Sequence, residues 1–390
     1  MVTQALVRHI NERRLIGLIR ISGPLARAEI ARRLKLTRAA VSGVVDDLMA
    51  RGLVVEAPEI SDTPREVGRP GIAVALAPYG AYFLGIEIGV GIVRLAMLDL
   101  AARPVTTDSL AFAREDAPKK VVAAIAARAG TLLAQRPWAG RVRAAGVTVP
   151  GLVRADGHVV NLPILGWRDL DLAPLLAAAL PLPVHLENNA NAGAFGHVYA
   201  EPETGRGVMV YLKLGTGCGG AVILDGRLLR GASGLGAEFG HVRIAETGPV
   251  CSCGQVGCLE TFVNLAALAR YAGADPATAL PLRIAEDIAA GRPDAIAARD
   301  RLADHLRDGL VTLANAFNPE RIVLGGQMLP LLDGIVARIG PEIARRIVPG
   351  MQAPRLVVSR IGSFEVAIGA AALAHHAEFD VTALKLGDSA

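Results

Sequence analysis

Apolar residues near the start of the chain recur at the spacing of amphipathic helices and then switch to short runs typical of strands. The pattern predicts a first helix over residues 3–21 and a second over residues 25–34. Thr37 is a good N-cap for a third helix, which Gly52 ends. Two strand-like runs follow, LVVEA and GIAVALAP, separated by SDTPREVGRP. Three short helices followed by a hairpin predict a winged helix-turn-helix domain over residues 1–78.

The predicted wing and third helix carry side chains suited to contact DNA. The wing ends in a basic, extended GlyArgPro tip, which suits entry into a minor groove. Polar side chains on the exposed N-terminal face of the third helix can hold phosphates or base edges. The candidate DNA contacts are Arg27, Thr37, Arg38, Ser42, Arg65 and Arg69. The alternative for this region is a small helical adaptor with solvated arginines.

From Tyr82 onward the pattern becomes that of an α/β domain, which we assign to residues 82–390. Buried strands alternate with helices, and three strands meet glycines, at residues 85–91, 214–220 and 324–326. Such junctions let the backbone approach phosphate groups closely, although a single glycine at a turn is common.

The segment HLENNANAGA places one carboxylate and three amides within five positions of an apolar stretch. These are Glu187, Asn188, Asn189 and Asn191. Buried polar groups are costly unless each finds a partner. The segment follows a predicted strand, and open α/β sheets bind ligands at the carboxyl ends of their strands. A catalytic site, a binding site and a polar turn all remain open at this point.

Charge is distributed unevenly along the chain. Of 41 basic and 37 acidic residues, 12 basic and 8 acidic lie in residues 1–80, so the whole excess of +4 sits there. This indicates a small module that faces a polyanion. The apolar stretches are too short to span a membrane, and the N-terminus has no signal-peptide core. We therefore expect a cytoplasmic protein with no membrane contact.

The cysteines are clustered, with three of four inside eight residues. His241, Cys251, Cys253 and Cys258 supply one imidazole and three thiols, the donor set of a closed tetrahedral zinc site. We predict structural zinc in a loop over residues 241–258. The alternative is three ordinary buried thiols.

These segments together resemble the ROK family (repressors, open reading frames and sugar kinases). HV…CSCGQVGCLE is similar to the family's zinc motif, and NPERIVLGG and AIGAAALA match its later segments. PLARAEIARRLKLTRAAVSGVVDDL with VGRP resembles the DNA-binding domain of the family's repressors, which its sugar kinases lack. The resemblance covers nearly the whole chain. It implies a two-lobed, actin-like sugar-kinase domain behind the winged helix.

The chain departs from the kinase pattern at two places. Family kinases carry an aspartate that takes the proton from the attacking sugar hydroxyl, and here Asn189 occupies that position. An amide cannot act as a general base near neutral pH. The first phosphate loop normally reads aspartate and then Gly-Gly-Thr, but Glu87, Val90 and Gly91 stand in those places. The second loop, LGTGCGG, is intact.

The resemblance implies that the sugar contacts are retained. Amides and carboxylates share hydroxyl protons in pairs, and buried acceptors reject molecules that cannot satisfy them. One ring nitrogen of His241 would face the metal and the other the sugar. The expected sugar-site residues are Gly151, Asn161, Asn188, Asn189, Glu238, His241 and Glu260. The alternative for Glu238 and Glu260 is surface charge beside the metal loop.

The DNA-binding segment has fewer polar side chains than its relatives. Ala26 stands where relatives begin the second helix with a serine cap, and Ala40 and Gly43 replace positions that are commonly polar. Operator specificity therefore does not carry over from those relatives.

Three functional interpretations follow. The first is a sugar-responsive regulator, a repressor of a carbohydrate-use operon that binds inverted-repeat operator DNA as a homo-oligomer (a dimer or a tetramer) and a monosaccharide effector. The second is an ATP-dependent sugar kinase with an appended DNA-binding domain. The third is a regulator controlled by a partner protein. Asn189 favours the first over the second, and the retained sugar contacts favour it over the third.

Overall fold

The computed structural model describes residues 4–58, 72–154, 156–275 and 280–379. Its N-terminal part, here called the head, contains three helices and a three-stranded antiparallel sheet. They are α1 (Gln4–Ser22), β1 (Leu25–Ala26), α2 (Arg27–Leu34), α3 (Arg38–Ala50), β2 (Val54–Pro58) and β3 (Ile72–Leu76), with sheet order β1-β3-β2.

The helix-turn-helix predicted from the sequence is present. Lys35, at a φ of +55°, ends α2 in a left-handed conformation. The hydroxyl oxygen of Thr37 accepts a hydrogen bond from the Ala40 N–H at 3.2 Å and so caps α3. Val41 and Leu48 of α3 are completely buried. The predicted start of the second helix was wrong, because Leu25 and Ala26 pair with β3 instead of joining α2.

The described residues from Tyr82 onward, here called the body, form two lobes. The first lobe is built on a five-stranded sheet of order β11-β7-β4-β5-β6, with a small antiparallel sheet of order β10-β9-β8 beside it. Strand β7 runs parallel to both β4 and β11. The elements are β4 (Tyr82–Ile88), β5 (Ile92–Asp99), β6 (Pro104–Ala111), α4 (Pro118–Leu133), β7 (Val142–Val149), β8 (Leu152–Val153), β9 (His158–Leu162), β10 (Trp167–Asp171), α5 (Leu172–Ala179), β11 (Val184–Asn188) and α6 (Asn189–Ala200).

The second lobe has a five-stranded sheet of order β14-β13-β12-β15-β16, in which β15 is parallel to both β12 and β16. Its elements are β12 (Val208–Leu214), β13 (Cys218–Leu224), β14 (Arg227–Leu228), α7 (Glu260–Val263), α8 (Leu265–Tyr271), α9 (Pro281–Ala289), α10 (Pro293–Phe317), β15 (Arg321–Gly325), α11 (Leu329–Arg346), β16 (Arg355–Val358) and α12 (Glu365–Phe379).

Helices α6 and α12 pack against each other between the two sheets. Helix α12 also contacts β4 and β7 of the first lobe, while α6 contacts β12 and β13 of the second. Glycine allows this close approach, since a Cβ on Gly369 would lie 1.9 Å from the carbonyl oxygen of Ala192. The two helices therefore form the joint between the lobes. No helix in the described part of the chain is long and apolar enough to cross a membrane.

Candidate binding cleft and metal centre

A cavity of about 480 Å³ lies between the two lobes, at the carboxyl ends of β4, β7, β11, β12 and β15. One side of it, here called the amide half, brings together every residue that the sequence predicts for a sugar site. These are Gly151, Asn161, Asn188, Asn189, Glu238, His241 and Glu260. The opposite side, here called the glycine-loop half, is lined by Glu87, Arg94, Thr216, Gly326, Gln327 and Glu365.

Two adjacent asparagines at the start of α6 have different surroundings. Asn188 is the N-cap of the helix, since its side-chain oxygen accepts from the Ala190 N–H at 2.6 Å. Its amide nitrogen donates to the Gly151 carbonyl at 2.7 Å. Asn189 is 3% exposed, and neither polar atom of its side chain has a hydrogen-bond partner among the described residues. Asn189 also lines the cavity, so its amide is a hydrogen-bonding group at the cleft wall that no described residue uses.

The second lobe completes the amide half with carboxylates and an imidazole. Glu260 accepts a hydrogen bond from the Cys218 N–H at 2.9 Å. Partial burial raises the pKa of Glu238 above its usual value; nearby His241 opposes this shift and Glu260 adds to it. The Nε2 atom of His241 lies 3.9 Å from the Glu238 carboxylate. Together with Asn161, whose side-chain oxygen is buried without a described partner, these groups can receive several hydroxyls.

The four predicted metal ligands meet at one point beside the amide half. One donor atom from each of His241, Cys251, Cys253 and Cys258 lies within 4.8 Å of all the others. The sulfurs of Cys253 and Cys258 are 3.7 Å apart, and Nδ1 of His241 is 3.4 Å from the Cys251 sulfur. A tetrahedral zinc ion with Zn–S bonds of about 2.3 Å requires S–S separations of about 3.8 Å, so the donors fit that ion.

The three thiols of this cluster differ in their pKa shifts. Burial raises the pKa of Cys251, and it raises the pKa of Cys258 to about 12. Hydrogen bonding from the Gln255 backbone lowers the pKa of Cys253. Zinc binds thiolates, so binding of the ion would displace the thiol protons. Bound metal would hold Nδ1 of His241 and leave Nε2 facing Glu238 and the cleft.

Most polar groups named in the glycine-loop half are bonded within the protein, although Oε1 of Glu365 has no described partner. Glu87 pairs with Arg94 at 3.3 Å. Gln327 accepts from both the backbone N–H and the hydroxyl of Thr216, at 3.0 and 3.1 Å.

Glu365 closes the same half from α12. Its side chain is buried and accepts from the Gly326 N–H at 3.3 Å. The backbone N–H groups of Thr216 and Gly326, two donors that could hold phosphate oxygens, are thus already used. The sequence had no signal for Gln327 or Glu365, because their partners are 111 and 39 residues away.

The head presents a smaller set of the predicted DNA contacts. Thr37 and Arg38 are exposed at the start of α3, and Ser42 is partly exposed one turn later. Arg27 is engaged within the head, because it pairs with Asp46 of α3 at 2.8 Å. The predicted wing contacts Arg65 and Arg69 lie outside the described residues.

Comparison with protein families and curated proteins places both parts of the chain. The model of the ROK family matches residues 83–377, and a MarR family model matches residues 9–63. The xylose repressor of Bacillus subtilis (strain 168) is 26% identical over 370 residues, which are 94% of this chain and 95% of that protein. A glucokinase of Streptomyces coelicolor is 34% identical over 254 residues, 59% of this chain and 80% of the glucokinase.

Comparison with solved structures also gives a regulator that matches nearly the whole chain and a kinase that matches part of it. A ROK family transcriptional regulator described as a homologue of the E. coli MLC protein matches with a TM-score of 0.79 and 26% identity, covering 96% of this chain and 97% of that one. A ROK family glucokinase from Streptomyces griseus, in complex with glucose and AMPPNP, matches with a TM-score of 0.67 and 28% identity. It covers 76% of this chain and 100% of its own. These matches confirm the predicted fold, a winged helix-turn-helix followed by a two-lobed sugar-kinase-like domain. The chain belongs to the ROK family and carries a MarR-type winged helix-turn-helix at its N-terminus.

Proposed function

We propose that this protein is a sugar-responsive transcriptional regulator, a repressor of a carbohydrate-use operon, that binds a monosaccharide in the amide half of the cleft. The observation that carries the proposal is Asn189. Its amide is buried in the cleft without a described partner, at the position where family kinases have their catalytic aspartate. An amide there can bind a sugar hydroxyl but cannot remove its proton near neutral pH.

We infer that the protein is not an enzyme. The glycine-loop half supports this inference, since the N–H and hydroxyl of Thr216 are bonded to Gln327 and the N–H of Gly326 is bonded to Glu365. The alternative, a sugar kinase with an appended DNA-binding domain, draws support from the glucokinase relatives. Those relatives match 59% and 76% of this chain, whereas the xylose repressor matches 94% of it.

The head is in contact with the helix that begins at the amide half. The guanidinium carbon of Arg20, on α1, lies 4.0 Å from the centre of the Tyr199 ring at the far end of α6. The Tyr199 hydroxyl lies 3.3 Å from Nδ1 of His375, which is on α12. A ligand that shifts α6 against α12 can therefore act on the head. Regulation further requires that the sugar bind the DNA-competent and DNA-incompetent states unequally.

For the head we propose binding to an inverted-repeat operator as a homo-oligomer. One short α3 reads few bases, so two heads related by a two-fold axis are needed for operator-level specificity. Thr37, Arg38 and Ser42 would contact phosphates or base edges, and Arg65 and Arg69 a minor groove. Arg27 would contribute by holding α2 to α3. The division into domains 1–78 and 82–390 remains a prediction.

We propose structural zinc at the four-residue cluster. The donor distances support a tetrahedral ion. The loop that carries the ligands includes His241, which belongs to the amide half as well, and it leads to Glu260. Binding of the ion would fix the second-lobe wall of the amide half.

Two assays on the full-length protein test the proposal. The first is a thermal-shift panel of D-xylose, D-glucose and N-acetyl-D-glucosamine, because a ligand at a hundred times its Kd adds about 2.7 kcal/mol of stability. The second measures binding to DNA selected by the protein from a random pool, with and without the stabilising sugar. We expect one sugar to stabilise the protein and to change its DNA affinity, and Glu238→Ala to abolish both effects while DNA binding persists.

The same samples distinguish the kinase alternative. With ATP, Mg²⁺ and the stabilising sugar, we expect no sugar phosphate above background. Turnover at about 1 s⁻¹ or faster would be the rate of an ordinary enzyme and would overturn the proposal. Loss of DNA binding by a folded Glu238→Ala variant would contradict the separation of head and sugar site.

A further inference from the structure

Glu187 is the one carboxylate in the polar segment at residues 185–194, and it stands behind the cleft. It lies in β11, is 7% exposed and does not line the cavity described above. One of its oxygens accepts from the Asn188 N–H at 2.8 Å and from the side-chain amide of Asn191 at 2.9 Å. The carboxylate therefore orders the backbone from which Asn188 and Asn189 project.

The other oxygen of Glu187 reaches the second lobe, where it pairs with Nη1 of Arg230. Arg230 follows β14, the edge strand of the second sheet. Its carbonyl accepts from the Gly236 N–H at 2.9 Å, which closes residues 230–236 into a compact loop. Glu238 comes two residues later. Arg230 thus begins the loop that delivers Glu238 to the cleft.

We propose that Glu187 and Arg230 are a positioning pair, which joins the lobes behind the cleft and sets the Asn188–Asn189 amides against Glu238. The ligand named here, a sugar, rests on the proposed function. One oxygen organises the amides of the first lobe while the other holds the loop of the second, so a single carboxylate aligns both walls of the amide half.

The pair acts on geometry more than on stability. The Arg230 side chain is 46% exposed, and an ion pair with so much solvent contact adds little to the free energy of folding. Its effect on binding is larger, because a polar ligand needs donors and acceptors from both lobes at hydrogen-bond distance together. Loss of the pair should therefore weaken sugar binding and leave the free energy of folding nearly unchanged.

The test compares Arg230→Met, which removes the charge and keeps an unbranched side chain, with Arg230→Lys and with the matched control Arg227→Met. We expect Arg230→Met to weaken binding of the stabilising panel sugar about tenfold with little change in Tm. Arg230→Lys should recover part of the loss, and Arg227→Met, an exposed arginine on β14, should bind like the parent protein. Glu187→Gln combined with Arg230→Met should be no weaker than the worse single variant, because both remove one interaction.

Hydrogen exchange of the sugar-free protein gives a second, independent measurement. Arg230→Met should speed exchange of the amides at residues 188–191 and 236–241 and leave β4 and β7 unchanged. If exchange and sugar affinity both match those of Arg227→Met, the pair has no positioning role. If the parent protein binds no panel sugar, the proposed function fails, and the exchange data still decide whether the pair orders the two segments.

Discussion

The two halves of the cleft differ in how many of their buried polar atoms have hydrogen-bond partners within the protein. In the amide half, both polar atoms of Asn189 and the side-chain oxygen of Asn161 are buried without described partners. In the glycine-loop half, Thr216 is bonded to Gln327, Glu87 to Arg94, and the Gly326 N–H to Glu365. The amide half thus holds three buried side-chain atoms without described partners, whereas the glycine-loop half holds one, Oε1 of Glu365, beside these internal bonds.

This difference bears on which half is suited to a ligand. A buried polar atom without a partner costs about 1–3 kcal/mol, so a fold retains one where something else is gained, and ligand binding is one such gain. A loop whose donors are bonded to its own side chains must break those bonds before it can bind phosphate. This arrangement supports the proposed role of the cleft as a receptor for a polar molecule.

The largest expected effect comes from disrupting the metal cluster beside the amide half. Cys258→Ser should lower the free energy of unfolding by at least about 3 kcal/mol and abolish sugar-induced stabilisation, because the loop would lose both its ion and the orientation of His241. Metal analysis should find about one zinc per chain in the parent protein and much less in the variant.

The control for that variant is Cys218→Ala, which changes a buried cysteine outside the cluster. It should retain zinc. Normal sugar affinity in a protein shown to be free of zinc would contradict the coupling between the metal and the cleft.

Next in size is the removal of the unpartnered amide itself. Asn189→Ala should lower sugar affinity about 10- to 100-fold, and it should leave thermal stability unchanged or raise it, because no hydrogen bond within the described structure is lost. Calorimetric titration and thermal unfolding of the same sample measure the two effects. A clear loss of stability with intact sugar binding would show that the amide serves the fold and not the ligand.

The matched variant in the glycine-loop half should show the reverse. Gln327→Ala removes two hydrogen bonds to Thr216 and should cost about 1 kcal/mol of stability while sugar affinity stays within twofold. Asn189→Asp combined with Gln327→Ala should still give no sugar phosphate, since Glu87 and Glu365 continue to occupy this half. Detectable turnover by Asn189→Asp alone would mean that the glycine-loop half still binds ATP productively.

Local signals account for what could be predicted from the sequence. The Thr37 cap, the strand before Asn188 and the spacing of the cysteines each depend on neighbours within a few residues. The metal cluster was predicted from the spacing of its cysteines, and the amide half from motif resemblance, which specifies positions but no contacts. The bonds of Gln327 and Glu365 in the glycine-loop half, and the pairing of Glu187 with Arg230, join residues 39 to 111 positions apart. No pattern of polar and apolar positions contains that information. The strand at Leu25 was missed for the same reason, because its partner Val74 is distant in the chain.

The comparison of the two halves also predicts that the amide half is the one coupled to the head. The expected effect of breaking this coupling is smaller than the effects above. Helix α6 begins at the amide half with Asn189 and ends near Tyr199, whose ring and carbonyl both meet Arg20 of α1. Arg20→Ala should leave sugar affinity and sugar-free DNA affinity nearly unchanged. It should reduce the ratio of DNA affinities measured with and without sugar by about threefold to tenfold, since an interdomain contact of this kind carries part of a coupling energy of a few kcal/mol.

Arg8→Ala is the matched control, because Arg8 is also on α1 but pairs with Asp47 inside the head at 2.9 Å. It should lower the stability of the head without changing that ratio. Equal ratios in the parent protein and Arg20→Ala would indicate that the signal travels by another route, such as the contact between two copies of the chain. A change in sugar-free DNA affinity alone would assign Arg20 to the placement of the head and not to its response, because a coupling contact must affect the sugar-bound and sugar-free states unequally.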